Sequence, residues 1–293
     1  MGAMGRPFLK MNGLGNDFVV VDARVEPFTP TAEQVRAIAD RERGIGCDQL
    51  IAIEPSPQDD AFMRIWNADG GEVEACGNAS RCVAWLLTEG ATFSKVAIDT
   101  PAGVLLAERL GDQRVRIDMG KPGLDWREIP LAEPMDTKGI ELQVGPIDNP
   151  VLHTPGCVNM GNPHVVFFVP DVETAPVREV GPMIEHHQLF PDRANVGFAQ
   201  IVSGDRIRLR VWERGVGETR ACGTGACAAL VAANRRALCA AKAVVELPGG
   251  ELEIEWRPDG HVLMTGPVET EFAGELPVFH HFKAEVPQGR ANG

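Results

Sequence analysis

Gly71-Glu72-Val73-Glu74-Ala75-Cys76-Gly77 and Gly217-Glu218-Thr219-Arg220-Ala221-Cys222-Gly223 are two versions of one heptapeptide, 146 residues apart. Moving outward at the same shift, Arg64-Ile65-Trp66 falls on Arg210-Val211-Trp212. Gly15-Asn16-Asp17-Phe18-Val19-Val20 falls on Gly161-Asn162-Pro163-His164-Val165-Val166. Three separate blocks in one register mark an internal duplication. The chain reads as two homologous halves, each of roughly domain size. The expected halves are residues 1–121, joined by a C-terminal strand over 268–293, and residues 122–267.

The same elements recur in each half. Phe18–Asp22 and His164–Val169 are short apolar runs of buried-strand type. Thr31–Arg43 has a capping start and helical apolar spacing, and Pro176–Leu189 is its weaker counterpart. Ile207, Leu209 and Val211 alternate with three arginines, which predicts a strand with one wet face; Ala61–Trp66 is its partner. Further strands follow over Val96–Ile117 and Ala243–Met264, with Gly249-Gly250 and Asp259-Gly260 as hairpin turns. Asn78–Glu89 and Thr224–Cys239 are apolar nearly all round at helical length, and such helices are buried. The expected fold is α+β (mixed α/β): two pseudosymmetric domains, each a largely antiparallel sheet wrapped around a central helix.

Composition bounds the function. The net charge of −13 opposes binding to nucleic acid or to an anionic membrane surface. No apolar stretch is long enough to span a bilayer, and the N-terminus carries no apolar signal core. Seven cysteines in 293 residues are too few, and odd in number, for a disulfide scaffold. Reduced thiols in the cytoplasm are the expectation.

Cys76 and Cys222 each precede Gly and a capping residue, Asn78 or Thr224, at a helix start. The first turn of a helix offers unpaired N–H groups and a partial positive charge. Those groups lower a thiol pKa and bind a carboxylate. Two such thiols about one carboxylate suit inversion at the adjacent carbon, one removing a proton and the other delivering one to the opposite face. Cys47, Cys82, Cys157, Cys227 and Cys239 read instead as buried small hydrophobes. The spacings Cys76-x5-Cys82 and Cys222-x4-Cys227 turn the sulfurs about 120–140° apart on a helix, so no metal is expected. His164 replaces Phe18, and Glu213 replaces Asn67, between otherwise matched halves. Such differences are where an unsymmetric substrate is read.

The sequence resembles the diaminopimelate epimerase family over Lys10 to about Phe282. The matches are Gly13-Leu14-Gly15-Asn16-Asp17-Phe18, Gly46-Cys47-Asp48-Gln49, Asn67-Ala68-Asp69-Gly70, Cys76-Gly77-Asn78, Gly161-Asn162-Pro163-His164, Asn195-Val196, Glu213-Arg214-Gly215 and Ala221-Cys222-Gly223-Thr224-Gly225. The resemblance implies a PLP-independent isomerase of lysine and peptidoglycan-precursor biosynthesis, interconverting LL- and meso-2,6-diaminoheptanedioate with no cofactor or metal. It makes Cys76 and Cys222 the acid/base pair, with Gly77, Asn78, Gly223 and Thr224 on the reacting carboxylate. It makes Asn16, Gln49, Asn67, Asn162, Asn195 and Arg214 substrate ligands, and His164 and Glu213 supporting catalytic groups. It also implies a homodimer, with Phe272 where relatives carry an interfacial Tyr; this chain has no Tyr. Asn12, Ala79 and Gly197 depart from the family's usual residues without removing a matched chemical group.

Two rivals remain. A proline or hydroxyproline racemase-type enzyme shares the second cysteine motif but usually has His after the first Cys-Gly, where this chain has Asn78. A thiol redox sensor would use a Cys76–Cys222 disulfide.

Overall fold

The computed structural model describes residues 5–73 and 77–276. The first half runs β1 (Arg6–Gly13), β2 (Asn16–Asp22), α1 (Ala32–Ala39), β3 (Gln49–Glu54), β4 (Ala61–Asn67), β5 (Glu72–Val73), α2 (Gly77–Thr88), β6 (Lys95–Asp99), β7 (Leu105–Gly111) and β8 (Arg114–Asp118). A small hairpin follows, β9 (Gln143–Val144) with β10 (Leu152–His153). The second half repeats the order: β11 (Gly156–Asn159), β12 (Pro163–Phe168), α3 (Val177–Glu185), β13 (Asn195–Ser203), β14 (Arg206–Glu213), β15 (Gly217–Thr219), α4 (Gly223–Arg235), β16 (Lys242–Leu247), β17 (Gly250–Trp256) and β18 (Val262–Pro267). The last described strand, β19 (Glu269–Leu276), returns to the first half and pairs antiparallel with β1. Cys76, His280, His281 and the end of the expected 268–293 strand lie outside the described residues.

Pairing is mostly antiparallel, as expected from the short turns. The parallel pairs are β2 with β3 and β4 with β6, and their counterparts β12 with β13 and β14 with β16. The helices α2 and α4 lie against the strands of their own halves and touch each other. Every residue of α4 from Gly225 to Ala233 is buried. That explains an apolar sequence with no polar stripe.

The duplication extends beyond the blocks visible in sequence, with one change of register. Starts of α2 and α4 differ by 146 residues, but Lys95 and Lys242, which open β6 and β16, differ by 147. One extra residue is thus absorbed around the longer helix α4. In the later strands a single buried row crosses the molecule: Val96, Ala107, Ile117, Met264, Ile254 and Ala243 are successive cross-strand partners. Ile117 and Met264 are equivalent residues that face each other across the antiparallel pair of β8 and β18. The local twofold therefore passes through this pair, and among the described residues the two sheets join into one of seventeen strands.

The cores merge as well. Residues of α2 and α4 belong to one apolar cluster spanning both halves. The outer helices make separate layers: α1 covers Val19, Val21 and Leu50, and α3 covers Val165, Phe167 and Phe198. Both are shorter than the sequence predicts. Thr31 caps α1 in a capping box with Gln34. The helix stops at Ala39, because the N–H groups of Ile45 and Gly46 turn back to the Ile38 carbonyl. α3 stops at Glu185, three residues past Pro182, and His187 N–H turns back to Ile184 O.

The α3 layer also holds the end of β14. A Cβ added to Gly181 would stand 2.5 Å from Cγ of Trp212. The Trp212 indole donates to Glu185 Oε2 at 2.8 Å, and Glu185 Oε1 accepts from Gly215 N–H at 2.9 Å. Overpacking of this kind typically costs about 1–3 kcal/mol. Gly181→Ala is expected to lower stability by that amount in urea unfolding, with the m-value unchanged.

Candidate active site

The expected site residues occupy equivalent ends of equivalent strands. In the first half Asn16 opens β2, Gln49 opens β3, Asn67 closes β4, and Gly77 and Asn78 open α2. In the second half Asn162 precedes β12, His164 lies on it, Asn195 opens β13, Glu213 closes β14, and Gly223 and Thr224 open α4. Phe18, Gln49 and Asn67 are cross-strand neighbours, as are His164 and Asn195. The shift of 146 also pairs Gln49 with Asn195, an equivalence hidden in the sequence because the residues around them do not match between the halves.

The two helix starts converge. Cβ atoms added to Gly77 and Gly223 would meet Met264 at 3.0 Å and 2.9 Å, and Asn78 Oδ1 would lie 3.9 Å from the latter. Met264 on the twofold is thus the shared floor beneath both first turns. A cavity of about 380 Å³ lined by Lys95, Glu108, Arg116, Asp118 and Arg257 contains none of the expected site residues.

Cys222 is the N-cap of α4, and its Sγ accepts from Gly225 N–H at 3.4 Å. Thr224 Oγ1 is 3.7 Å from the sulfur. The helix-start argument alone predicts a depressed thiol pKa. The structure reverses that sign: burial, and then the neighbouring Glu213 carboxylate, push the thiol well above its ordinary value. The N–H of Gly225 and the Thr224 hydroxyl oppose this but do not win. Burial raises Glu213 in turn, partly offset by hydrogen bonds from Thr219 and Cys222. A raised carboxyl thus stands beside a raised thiol.

Thr219, which donates to Glu213 Oε1, is a site residue that the sequence reading missed. The signal was present, since Val73 stands at the matched position. His164 is buried, and desolvation together with Arg214 holds its pKa down at about 3, so the imidazole is neutral. Its Nε2 lies 2.9 Å from Asn162 Oδ1. Asn195 uses both ends of its carboxamide on backbone: Nδ2 donates to Pro163 O at 3.0 Å and Oδ1 accepts from Arg214 N–H at 2.9 Å. It therefore positions Arg214, whose guanidinium donates to Asp192 O at 2.9 Å.

Gln49 Nε2 donates to Asn67 Oδ1 at 2.9 Å. Gln49 Oε1 and Asn78 Oδ1 are buried without a hydrogen-bond partner among the described residues. Each such acceptor costs about 1–3 kcal/mol unless a ligand supplies a donor. The remaining described cysteines are buried; desolvation pushes Cys157 and Cys227 up to about 12 and Cys47 and Cys239 up to about 11. These thiols are inert beside the chemistry.

The sequence profile described as diaminopimelate epimerase matches residues 8–124 and 156–271, one segment per half. A diaminopimelate epimerase of Phenylobacterium zucineum is 62% identical over 94% of this chain and 99% of its own length. One from Acidiphilium cryptum is 55% identical over 94% of this chain and 97% of its own. Solved structures share the fold at low identity. A phenazine biosynthesis protein of the PhzF family from Bacillus anthracis superposes with a TM-score of 0.65 at 15% identity, over 93% of this chain and 99% of that one. A hydroxyproline epimerase from Agrobacterium vitis gives 0.62 at 14%, over 94% and 93%. Those two likenesses carry the architecture and not the substrate. On sequence identity over nearly its whole length, this chain belongs to the diaminopimelate epimerase family.

Proposed function

We propose that the chain interconverts LL- and meso-2,6-diaminoheptanedioate, an isomerisation at one α-carbon that serves lysine and peptidoglycan-precursor biosynthesis. Convergence of the α2 and α4 starts on Met264, beside the Cys222–Glu213 pair, carries this reading. Cys222 passes its proton to Glu213, and the resulting thiolate removes the α-proton. The thiol of Cys76, next to Gly77 in sequence, delivers a proton to the opposite face. In the reverse direction the two sulfurs exchange roles.

The developing charge falls on the α-carboxylate. N–H groups at Gly77-Asn78 and Gly223-Thr224 stabilise it, each worth roughly 3–4 kcal/mol in a dry site. Gln49, Asn78 and Asn67 offer acceptors and donors to the substrate's ammonium and carboxylate groups, and Arg214 offers a cation for a carboxylate. Neutral His164 serves as a hydrogen-bonding group near the reacting centre. A cytoplasmic, reducing compartment suits a mechanism that needs both thiols free. The functional halves are 1–121 with 268–293, and 122–267. The exposed edge strand β19, with Phe272 half exposed, supports a homodimer built on that edge.

Proton NMR in D₂O tests the substrate with reduced protein and separate supplies of LL-diaminopimelate, L-proline and trans-4-hydroxyproline. Loss of the α-proton signal with diaminopimelate alone is expected; exchange of a proline substrate would move the protein to the racemase branch. Cys76→Ala and Cys222→Ala are each expected to lower turnover by at least about 10²-fold while the circular dichroism is unchanged. Near-wild-type turnover in either variant refutes the two-thiol mechanism. Glu213→Gln removes the negative charge that opposes a thiolate. Ultraviolet titration should therefore show Cys222 ionising at lower pH than in the wild type, with kcat down about 10²-fold or more. An unchanged ionisation would detach Glu213 from the thiol.

A further inference from the structure

Glu185 is a buried carboxylate with no part in the proton transfers above. It is the last residue of α3, and both of its oxygens accept N–H groups from the far end of β14. Oε2 accepts from the Trp212 indole at 2.8 Å, and Oε1 accepts from the Gly215 backbone at 2.9 Å. Glu213 and Arg214 lie between those two residues in sequence. His186 Nε2 and Arg193 Nη1 each stand 3.9 Å from Oε1, on half-exposed side chains. Such distances are too long for hydrogen bonds, so the directed contacts of the carboxylate are the two N–H groups.

The two halves close β4 and β14 with different turns. In the second half Val216 N–H donates to Glu213 O at 3.1 Å, and Gly215 has a φ of +75°. Arg214 has no positive φ, so this is a type II turn. In the first half Gly70 N–H donates to Asn67 O at 2.9 Å, and neither Ala68 nor Asp69 has a positive φ. That is the type I pattern, with Gly last. The two types differ by reversal of the central peptide, which sends the N–H of the third residue to the opposite side. The outer helices end at matched positions, Ala39 in α1 and Glu185 in α3. The half with a carboxylate there has the turn whose N–H meets it; the half with Ala39 has the other turn. Asn195 Oδ1 takes the preceding N–H, that of Arg214, at 2.9 Å. Two consecutive N–H groups of the turn are thus held by buried acceptors.

Resting on the epimerase reading, we propose that Glu185 is a positioning residue that holds the Arg214–Gly215 peptide in the type II orientation. It thereby sets the backbone from which Arg214 reaches a substrate carboxylate. Glu213 is held separately, paired with Gly217 across β14 and β15. Loss of the Glu185 contact therefore falls on substrate binding more than on proton transfer.

Glu185→Gln keeps the size of the side chain but offers one acceptor to two donors. The indole cannot yield, because a Cβ added to Gly181 would stand 2.5 Å from Cγ of Trp212. The turn peptide yields instead. With LL-diaminopimelate, KM is expected to rise at least about tenfold while kcat changes less than about threefold. Hydrogen–deuterium exchange at the 213–217 turn should quicken in step. Glu185→Gln/Trp212→Phe removes the competing indole N–H, so the Gln oxygen returns to Gly215. Its KM and its exchange rate are expected within about threefold of the wild type, although the charge of Glu185 is still gone. Trp212→Phe alone keeps the Gly215 contact and should also hold KM within about threefold. A smaller rise in KM for Glu185→Gln, no recovery in the double variant, or an equal rise in Trp212→Phe would each overturn the proposal. So would a fall in kcat at unchanged KM, which is what a merely structural role gives by lowering the folded fraction. Failure of the wild type to turn over LL-diaminopimelate would instead overturn the epimerase reading, while exchange at the turn tests the Glu185 contact without substrate.

Discussion

The antiparallel pairing of β8 with β18 is the constraint on which the rest depends. It sets Ile117 opposite its own counterpart Met264, and a buried apolar row runs from Val96 in one half to Ala243 in the other. Since the strands are fixed about this axis, the helices packed on them are fixed as well. Their first turns then have nowhere to go but together over Met264. The two helix starts are brought together through the packing of an apolar seam.

The same burial decides the electrostatics. A helix start favours a thiolate by a modest, screened amount. Loss of water disfavours it by more, and a carboxylate next to the sulfur adds to that. The resting thiol of Cys222 therefore keeps its proton, with the Glu213 carboxyl beside it. The same burial removes the acceptors of Gln49 and Asn78 from water with no partner among the described residues.

Symmetry supplies the frame and its breaking supplies selectivity. Phe18 against His164, Asn67 against Glu213 and Val73 against Thr219 are positions where the copies have diverged, and Glu213, bonded by Thr219, neighbours the Cys222 thiol. Ala39 against Glu185 is another, and Glu185 meets the turn that follows Glu213. An amino-acid centre is unsymmetric, and a duplicated protein can read it only where its copies have diverged.

Much of this was legible in the residues. One shift aligned Cys76 with Cys222, the all-round apolar runs after each gave buried helices, and alternation in Ile207–Val211 gave a strand with a wet face. These are local signals, set by periodicity and by the few residue types that fit a cap or a turn. The extents of α1 and α3 were not legible, because their ends are set by backbone carbonyls turned back upon by Ile45 and His187. The change of register to 147 was hidden for the same reason: only strand pairing shows which residues face one another. The sequence by itself determined that there are two matched halves, each with a cysteine at a helix start. Only the tertiary structure decided that the cores fuse into one and that burial and the Glu213 carboxylate raise the Cys222 thiol. Those outcomes depend on distances between groups far apart in the chain, and on how much water the folded protein leaves around them.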